Sequence, residues 1–282
     1  MKYTKVRFRM GGFRTPGYSI VPLYSWVILA LIATGCISGS GDVSKAGVAI
    51  SFDDHFIEDW YALKPLFDRY DAKVTFFITC PDSLTTREIR LLKELESDGH
   101  EIGFHGTIHG RATEMIAAHG PEGYIETELT PGLGYMRAAG FYPTSYAHPG
   151  GNHNSRVDSV LLAQGFQILR DVALSRREYK GVPLYQMAPR IMPWIYYSFD
   201  QAPIVDALSI DMDARVDIDS IKEAMEKAKN TGTALMLFGH QPLQGKAKQG
   251  QYGFDIGLLE GILKEAKIGN LKFYRMSDLV KN

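Results

Sequence analysis

The sequence predicts an α/β fold in which a mainly parallel sheet is closed into a distorted or incomplete (β/α) barrel. Three observations predict it. Short apolar runs such as Val48-Ala49-Ile50-Ser51-Phe52 and Val74-Thr75-Phe76-Phe77-Ile78 suit parallel strands covered on both faces. Segments with helical spacing lie between them. Almost every strand candidate ends in an ionisable residue: Asp53 and Asp54, His105, His148, Asp171, Asp211 and Asp213, and His240.

The first strand, over 48–52, is followed by helical spacing across 58–70 through Trp60, Leu63, Leu66, Phe67 and Tyr70. A second strand spans 74–78. Thr85-x-x-Glu88 reads as a capping box ahead of Ile89, Leu91, Leu92 and Leu95, and Gly99 supplies the helix stop. A third strand, 101–104, ends at His105. Further strands are expected at 144–147, 166–169, 207–210 and 234–238. Between the last two, Ile218, Ile221, Met225 and Ala228 mark one face of a helix that stops before Gly232. A final helix runs from Asp255 to Lys267, before a short strand at 271–274. The carboxyl ends of barrel strands form the rim where chemistry takes place. Burying ionisable groups without partners is costly, so the strand-end residues are expected to converge on one cleft.

With 45% hydrophobic and 22% charged residues, the chain can build a core without metal or disulfide staples, so a metal would serve chemistry rather than folding. The net charge is −1; the first 35 residues carry Lys2, Lys5, Arg7, Arg9 and Arg14 with no acid, and removing them leaves −6. A mildly acidic domain without basic runs argues against nucleic acid as a partner. The apolar run from about Ile20 to Ala33 is short for a bilayer span of ~20 residues. It leads into Ile32-Ala33-Thr34-Gly35-Cys36, small residues before a cysteine that resemble a bacterial lipobox. Residues 1–36 are therefore expected to be an export segment with Cys36 lipidated, giving a membrane-anchored lipoprotein that faces the periplasm or cell exterior. A plain signal peptide or an uncleaved anchor is the alternative, and Met10 offers a second possible start. Residues 37–46 suit a flexible tether, and 47–282 a single catalytic domain. Cys80 is then left alone and reads as a buried small hydrophobe.

Chemistry concentrates in two motifs. In His105-Gly106-Thr107-Ile108-His109, two imidazoles four residues apart can face the same way if the chain turns helically. With a carboxylate they make a three-ligand set suited to zinc or a similar divalent ion, with positions open for water and substrate. Two surface histidines are the plainer reading of that motif alone. Asp53-Asp54 shifts the balance, because neighbouring side chains leaving a strand point different ways. One aspartate can bind a metal while the other reaches water.

Ser51-Phe52-Asp53-Asp54 is similar to the opening motif of the NodB-type polysaccharide deacetylases (carbohydrate esterase family 4), usually T-F-D-D, and His105 to His109 resembles their H-[ST]-x-x-H. Lys73 to Ile78 and Gly99 to Gly103 match the same pattern. The resemblance is dense from about Val48 to Gly110 and looser as far as His240. It implies a NodB-homology barrel in which Asp54, His105 and His109 bind a divalent metal, most commonly zinc, and Asp53 is the general base. Leu235 to His240 resembles the last motif, which implies that His240 protonates the leaving amine. Tyr146 to Gly151 lies where the third motif is expected, which gives the backbone N–H of Gly150 an oxyanion-binding role. Three positions depart from the pattern: Gly106 replaces a Ser or Thr, Ala147 stands where many members carry an arginine that orients the base, and Gly150 replaces a common tyrosine. Asp171 stands near the expected fourth motif without a clear match.

Residues 179–199 carry Tyr179, Tyr185, Trp194, Tyr196, Tyr197 and Phe199. Aromatic faces stack on sugar rings, so Trp194 and Tyr196, with His148, are candidate substrate contacts; core packing or a lid is the alternative. His148 and His153 lie in a Gly/Asn-rich stretch where histidines are usually at the surface. Gln241 to Gly253 suits a mobile loop at the cleft mouth, with Lys246 and Lys248 solvated. The expected activity is removal of acetyl groups, most simply N-acetyl, from an acetylated glycan outside the cytoplasm. A non-sugar amide on the same fold, or a weakened carbohydrate-binding protein, are the rivals.

Overall fold

Covered on both faces, the apolar strands pair with one another until the sheet meets itself. The computed structural model describes residues 42–173, 178–183, 187–245 and 252–281. The expected export segment with Cys36, most of the tether, Tyr185, Lys246 and Lys248 lie outside them. Within the unit Ser40–Asn282, seven strands form the barrel: β1 (Gly47–Asp54), β2 (Thr75–Ile78), β3 (Glu101–Phe104), β4 (Ser145–Ala147), β5 (Ile168–Val172), β6 (Ile204–Ser209) and β7 (Ala234–Gly239). Each pairs in parallel with the next, and β7 pairs in parallel with β1 through register partners such as Ser51 and Phe238, which closes the ring. A short β8 (Lys272–Tyr274) adds in parallel to β1, and Tyr196–Tyr197 pairs antiparallel with β7.

Eight helices accompany these strands among the described residues: α1 (Ile57–Ala62), α2 (Lys64–Tyr70), α3 (Thr86–Ser97), α4 (Ala112–Tyr124), α5 (Thr130–Ala138), α6 (Ser155–Ala163), α7 (Ile218–Thr231) and α8 (Ile256–Ile268). The single helix expected over 58–70 is two, because Pro65 lacks an N–H and restarts the helix after Leu63. The capping box of α3 forms as expected, Thr85 and Glu88 exchanging side-chain and backbone hydrogen bonds. α7 ends where Gly232 turns left-handed (φ 66°). Strand β5 starts two residues later than expected, since Gln167 first bonds to the Thr144 carbonyl. The sequence gives little periodicity for α4 and α5: Gly120-Pro121 kinks α4, and a π-helical turn, Ile125–Leu129, joins the two. Cys80 is half-buried in a left-handed turn (φ 48°), not buried in the core as expected.

Alternation along each strand sorts side chains into two layers. Ala49, Phe77, Ala147, Ile168, Ala207, Met236 and Phe238 pack together as one cluster, on the barrel's inner side. Val48, Ile50, Phe52, Phe76, Ile78, Leu169, Leu235 and Leu237 pack under the helices. The same parity sends Asp53 and Arg170 inward and His148 and Asp171 outward. Trp60 of α1 is fully buried against Phe76, and its Nε1–H donates to the His240 carbonyl at 2.9 Å.

That bond ties a helix to the chain at the end of β7. Replacing Trp60 with Phe keeps the ring and removes the donor, and an unpaired buried carbonyl costs about 1–3 kcal/mol. Urea unfolding of Trp60→Phe is expected to show a lowered midpoint at unchanged slope; an unchanged midpoint would mean the bond contributes nothing.

Candidate active site

At the end of β1 the chain turns so that Asp53 and Asp54 part company. Asp53 is buried and points into the barrel. Asp54 adopts φ 88°, a conformation costly for a residue with a Cβ, and points across the rim. His109 is also left-handed (φ 54°). Two of the three expected ligands thus sit on strained backbone, which persists where the surrounding structure imposes it.

Asp54 Oδ1 lies 3.6 Å from His105 Nε2 and 3.6 Å from His109 Nε2. The two rings meet edge-on with centroids 4.9 Å apart. These distances are too long for hydrogen bonds. They approach the edge of about 3.3–3.4 Å that a tetrahedral ion with bonds of about 2.0–2.1 Å would set. His105 Nδ1–H donates to the Ala147 carbonyl at 2.9 Å, which leaves Nε2 with its lone pair toward Asp54. Burial pushes His105 down to about 4, so its imidazole is neutral, the form that binds metal. The donor set therefore fits a divalent transition metal.

The arginine that the sequence lacked at position 147 comes from the neighbouring strand. Ala147 and Arg170 are register partners, and Arg170 Nη2 makes a close ion pair with Asp53 Oδ2. Arg170 is fully buried, its guanidinium 4.5 Å from the Phe238 ring centre and 5.6 Å from that of Phe77. Burial pushes the Asp53 carboxyl up, but the charge of Arg170 outweighs it, helped by His105 and His240 when these are protonated, and holds the group below the usual carboxylate range.

His240 follows β7, and its Nδ1 lies 2.5 Å from Asp211 Oδ2 while its N–H donates to Asp211 Oδ1 at 3.1 Å. Burial lowers the affinity of His240 for its proton; the Asp211 hydrogen bond and the charges of Asp53, Asp211 and Asp54 more than reverse this, so its pKa is raised. Tyr252 closes the rim, donating its hydroxyl to Asp54 Oδ2 at 3.1 Å with its ring 4.3 Å from that of His240. A cleft of about 760 Å³ opens beside Asp211, His240 and Tyr252; its walls combine Met187, Pro189 and Met192 with Asp213, Arg215 and Asp217. Asp211 and Tyr252 were not singled out as site residues from sequence. Asp211 carried a signal as a strand-end carboxylate, whereas Tyr252 carried only its place in the stretch from Gln241 to Gly253 expected at the cleft mouth.

The missing hydroxyl at Gly106 is explained by Glu128, which is buried in the π-helical turn between α4 and α5. Its carboxylate accepts from the backbone N–H of Ile108 (3.1 Å) and Gly110 (2.9 Å), and its carbonyl from Thr107 Oγ1 (2.8 Å). Thr107 Oγ1 also accepts from the Gly132 N–H at 2.9 Å. Thr107 and Glu128 thus stiffen the loop between the two histidines. Gly106 has φ 86°, and a Cβ there would collide with the Glu128 carboxylate.

The remaining candidates lie at and just after β4 and in the aromatic run 194–197. Gly150 is exposed in the turn after β4 with φ 58°. Tyr196 is buried, donating to the Pro189 carbonyl at 3.1 Å with Lys227 over its ring. Trp194 packs against the core, and His148 is buried behind β4. None of these three lines the cleft: the 3₁₀ turns at Pro189 and Pro193 fold the aromatic run back onto the start of β7, and His148 points away beneath the helices. His148 and His153 are not surface loop residues either: the first is buried and the second half-buried.

Restoring serine at Gly106 should damage the site. With φ positive and the Glu128 carboxylate in the way, Gly106→Ser is expected to cost about 1–3 kcal/mol and to weaken Zn(II) binding, as read by thermal unfolding and competition with a chelator. Wild-type stability and affinity in that variant would contradict the Glu128 clamp.

Residues 40–169 match the family model described as polysaccharide deacetylase. Among solved structures, the chain is similar to the Bc1960 peptidoglycan N-acetylglucosamine deacetylase (19% identity, TM-score 0.54, covering 86% of this chain and 92% of that one). It is also similar to a Mycobacterium smegmatis protein assigned as a polysaccharide deacetylase (14%, 0.54, 84% and 90%). A variant of the peptidoglycan deacetylase PdaC from Bacillus subtilis matches comparably (14%, 0.51, 84% and 91%). At these identities the likeness shows the fold. A sequence search of curated proteins found no match. The polysaccharide deacetylase model is matched over the motif-bearing residues 40–169 and the barrel closes as the motifs imply, so this part of the chain is similar to the NodB-type polysaccharide deacetylases.

Proposed function

We propose that the protein is a metal-dependent deacetylase that removes N-acetyl groups from an acetylated glycan outside the cytoplasm. One observation carries the reading: beside the cluster of Asp54, His105 and His109, the surroundings push two titratable groups apart. The Asp53 carboxyl is held below the usual carboxylate range and the His240 imidazole is raised above its ordinary value, the division that assigns a base and an acid. A binding protein would need neither.

Asp54, His105 and His109 would hold the ion, which supplies a Lewis acid for the acetyl carbonyl and lowers the pKa of water. Asp53, fixed by Arg170, accepts the proton of the attacking water. His240, with Nδ1 on Asp211, has its other ring nitrogen to donate to the departing amine. The Gly150 N–H, on an exposed left-handed turn, stands as the donor for the developing oxyanion. Asp213, Arg215 and Asp217 in the cleft wall offer hydrogen bonds that sugar hydroxyls would use and a small apolar amide would not. Zinc is the metal proposed. The lipobox-like run before Cys36 supports export and a lipid anchor; metabolic palmitate labelling that survives in Cys36→Ser would exclude that anchor.

The test is acetate release from N-acetylglucosamine oligomers and peptidoglycan. Asp53→Asn is expected to lose at least 100-fold in kcat, the scale of general-base catalysis, while retaining bound Zn(II). Asp54→Asn should lose activity together with the zinc held by this cluster. Acetate release unchanged in Asp53→Asn would contradict the assignment. The pH profile tests the acid. Because Asp211 raises the pKa of His240, Asp211→Asn lowers it, so the proton is lost at lower pH. The alkaline limb of kcat/KM should move toward acid; a limb that stays in place would remove His240 from the role.

A further inference from the structure

Ala147 and Arg170 face the barrel interior, so their chain neighbours His148 and Asp171 face the layer beneath the helices. There they meet His153, from the loop after β4, and Asp158, from the first turn of α6. Deacetylation as proposed uses none of these four. His153 Nδ1 lies 2.9 Å from Asp158 Oδ1, and His153 Nε2 lies 2.7 Å from Asp171 Oδ2. His148 Nε2 is 3.3 Å from the same Asp158 oxygen, and the two imidazoles stack with centroids 4.4 Å apart. One ligand atom each from His148, His153 and Asp158 falls within 4.8 Å of the others.

His148 gives the independent sign of a missing ligand. Its side chain is 0% exposed, and among the described residues neither ring nitrogen makes a hydrogen bond; the approach to Asp158 has the wrong direction for one. A buried imidazole with both nitrogens idle is costly unless something takes a lone pair. The outer arrangement also suits a metal. When Asp171 accepts from the Nε2–H of His153, Nδ1 carries the lone pair toward Asp158, as in the carboxylate–histidine pairs that orient metal-bound imidazoles.

We propose that His148, His153 and Asp158 bind a second divalent transition-metal ion of the zinc class, separate from that of Asp54, His105 and His109. Two imidazoles and a carboxylate suit such an ion. Separations of 2.9 and 3.3 Å lie at or just below the tetrahedral edge of about 3.3–3.4 Å, and the stacked rings would turn apart to aim both nitrogens at one ion. The ion staples the end of β4, the loop 149–154 that carries Gly150, and α6. It has no access to the cleft lining, so its role is to fix that loop. The competing occupant is a proton: hydrogen bonds to Asp158 and Asp171 push His153 up to about 10, which would make it an imidazolium between two carboxylates.

Metal content decides between them. The full chain is stripped with chelator, reloaded with Zn(II), desalted, and its zinc measured per chain by mass spectrometry. Two ions are expected in wild type, and one each in Asp158→Asn and Asp54→Asn, with loss from different sites. If Asp158→Asn fails to fold, His153→Gln serves in its place, and the wild-type stoichiometry stands by itself. One ion in wild type that Asp54→Asn removes would overturn the second site while leaving the deacetylase reading intact. One ion that Asp54→Asn retains would support the second site and count against the first. No bound zinc would overturn both.

Discussion

Everything at the rim of this barrel is arranged around one buried charge pair, Asp53 with Arg170. Burying a guanidinium completely is expensive, and the expense is met only when a carboxylate of good geometry meets it. The barrel makes room for it with small inward residues, Ala49, Ala147 and Ala207, and gives it the faces of Phe77 and Phe238. The pair fixes the orientation of Asp53 and keeps its carboxyl ionised despite burial. Removing either partner would leave the other as an uncompensated charge in the barrel interior.

The period of two along each strand then divides labour between adjacent residues. Asp53 turns in and Asp54 turns across the rim. Ala147 lends its carbonyl to His105 while His148 enters the helix layer. Arg170 serves the base, and Asp171 holds His153 on the opposite face. A single strand end thus contributes to two separate clusters. A slip of one residue in β5 would exchange their members.

Much of this was legible in the sequence. The strands, the capping box at Thr85, the stop at Gly232 and the convergence of Asp54, His105 and His109 follow from local periodicity and from motifs. The unread parts are those in which one residue takes over another's task from a distance in the chain. Arg170 stands 117 residues from Asp53 and replaces an arginine expected on a different strand. Glu128 reaches back 20 residues to Ile108 from a π-helical turn, and Tyr252 lies 198 residues from the Asp54 it contacts. No local pattern encodes such contacts; closure of the barrel creates them. The aromatic run at 194–197 misled for a related reason: its composition suits sugar stacking, but Pro189 and Pro193 turn it into the core.

The claim that Arg170 sets the protonation of Asp53 is tested most directly by the acid limb of kcat/KM for acetate release. The limb should be recorded for wild type, Arg170→Lys and Arg170→Met. Without a cation beside it, a buried carboxyl holds its proton to higher pH. The limb should therefore climb in Arg170→Met and stay closer to wild type in Arg170→Lys. Three superimposed limbs would contradict the account.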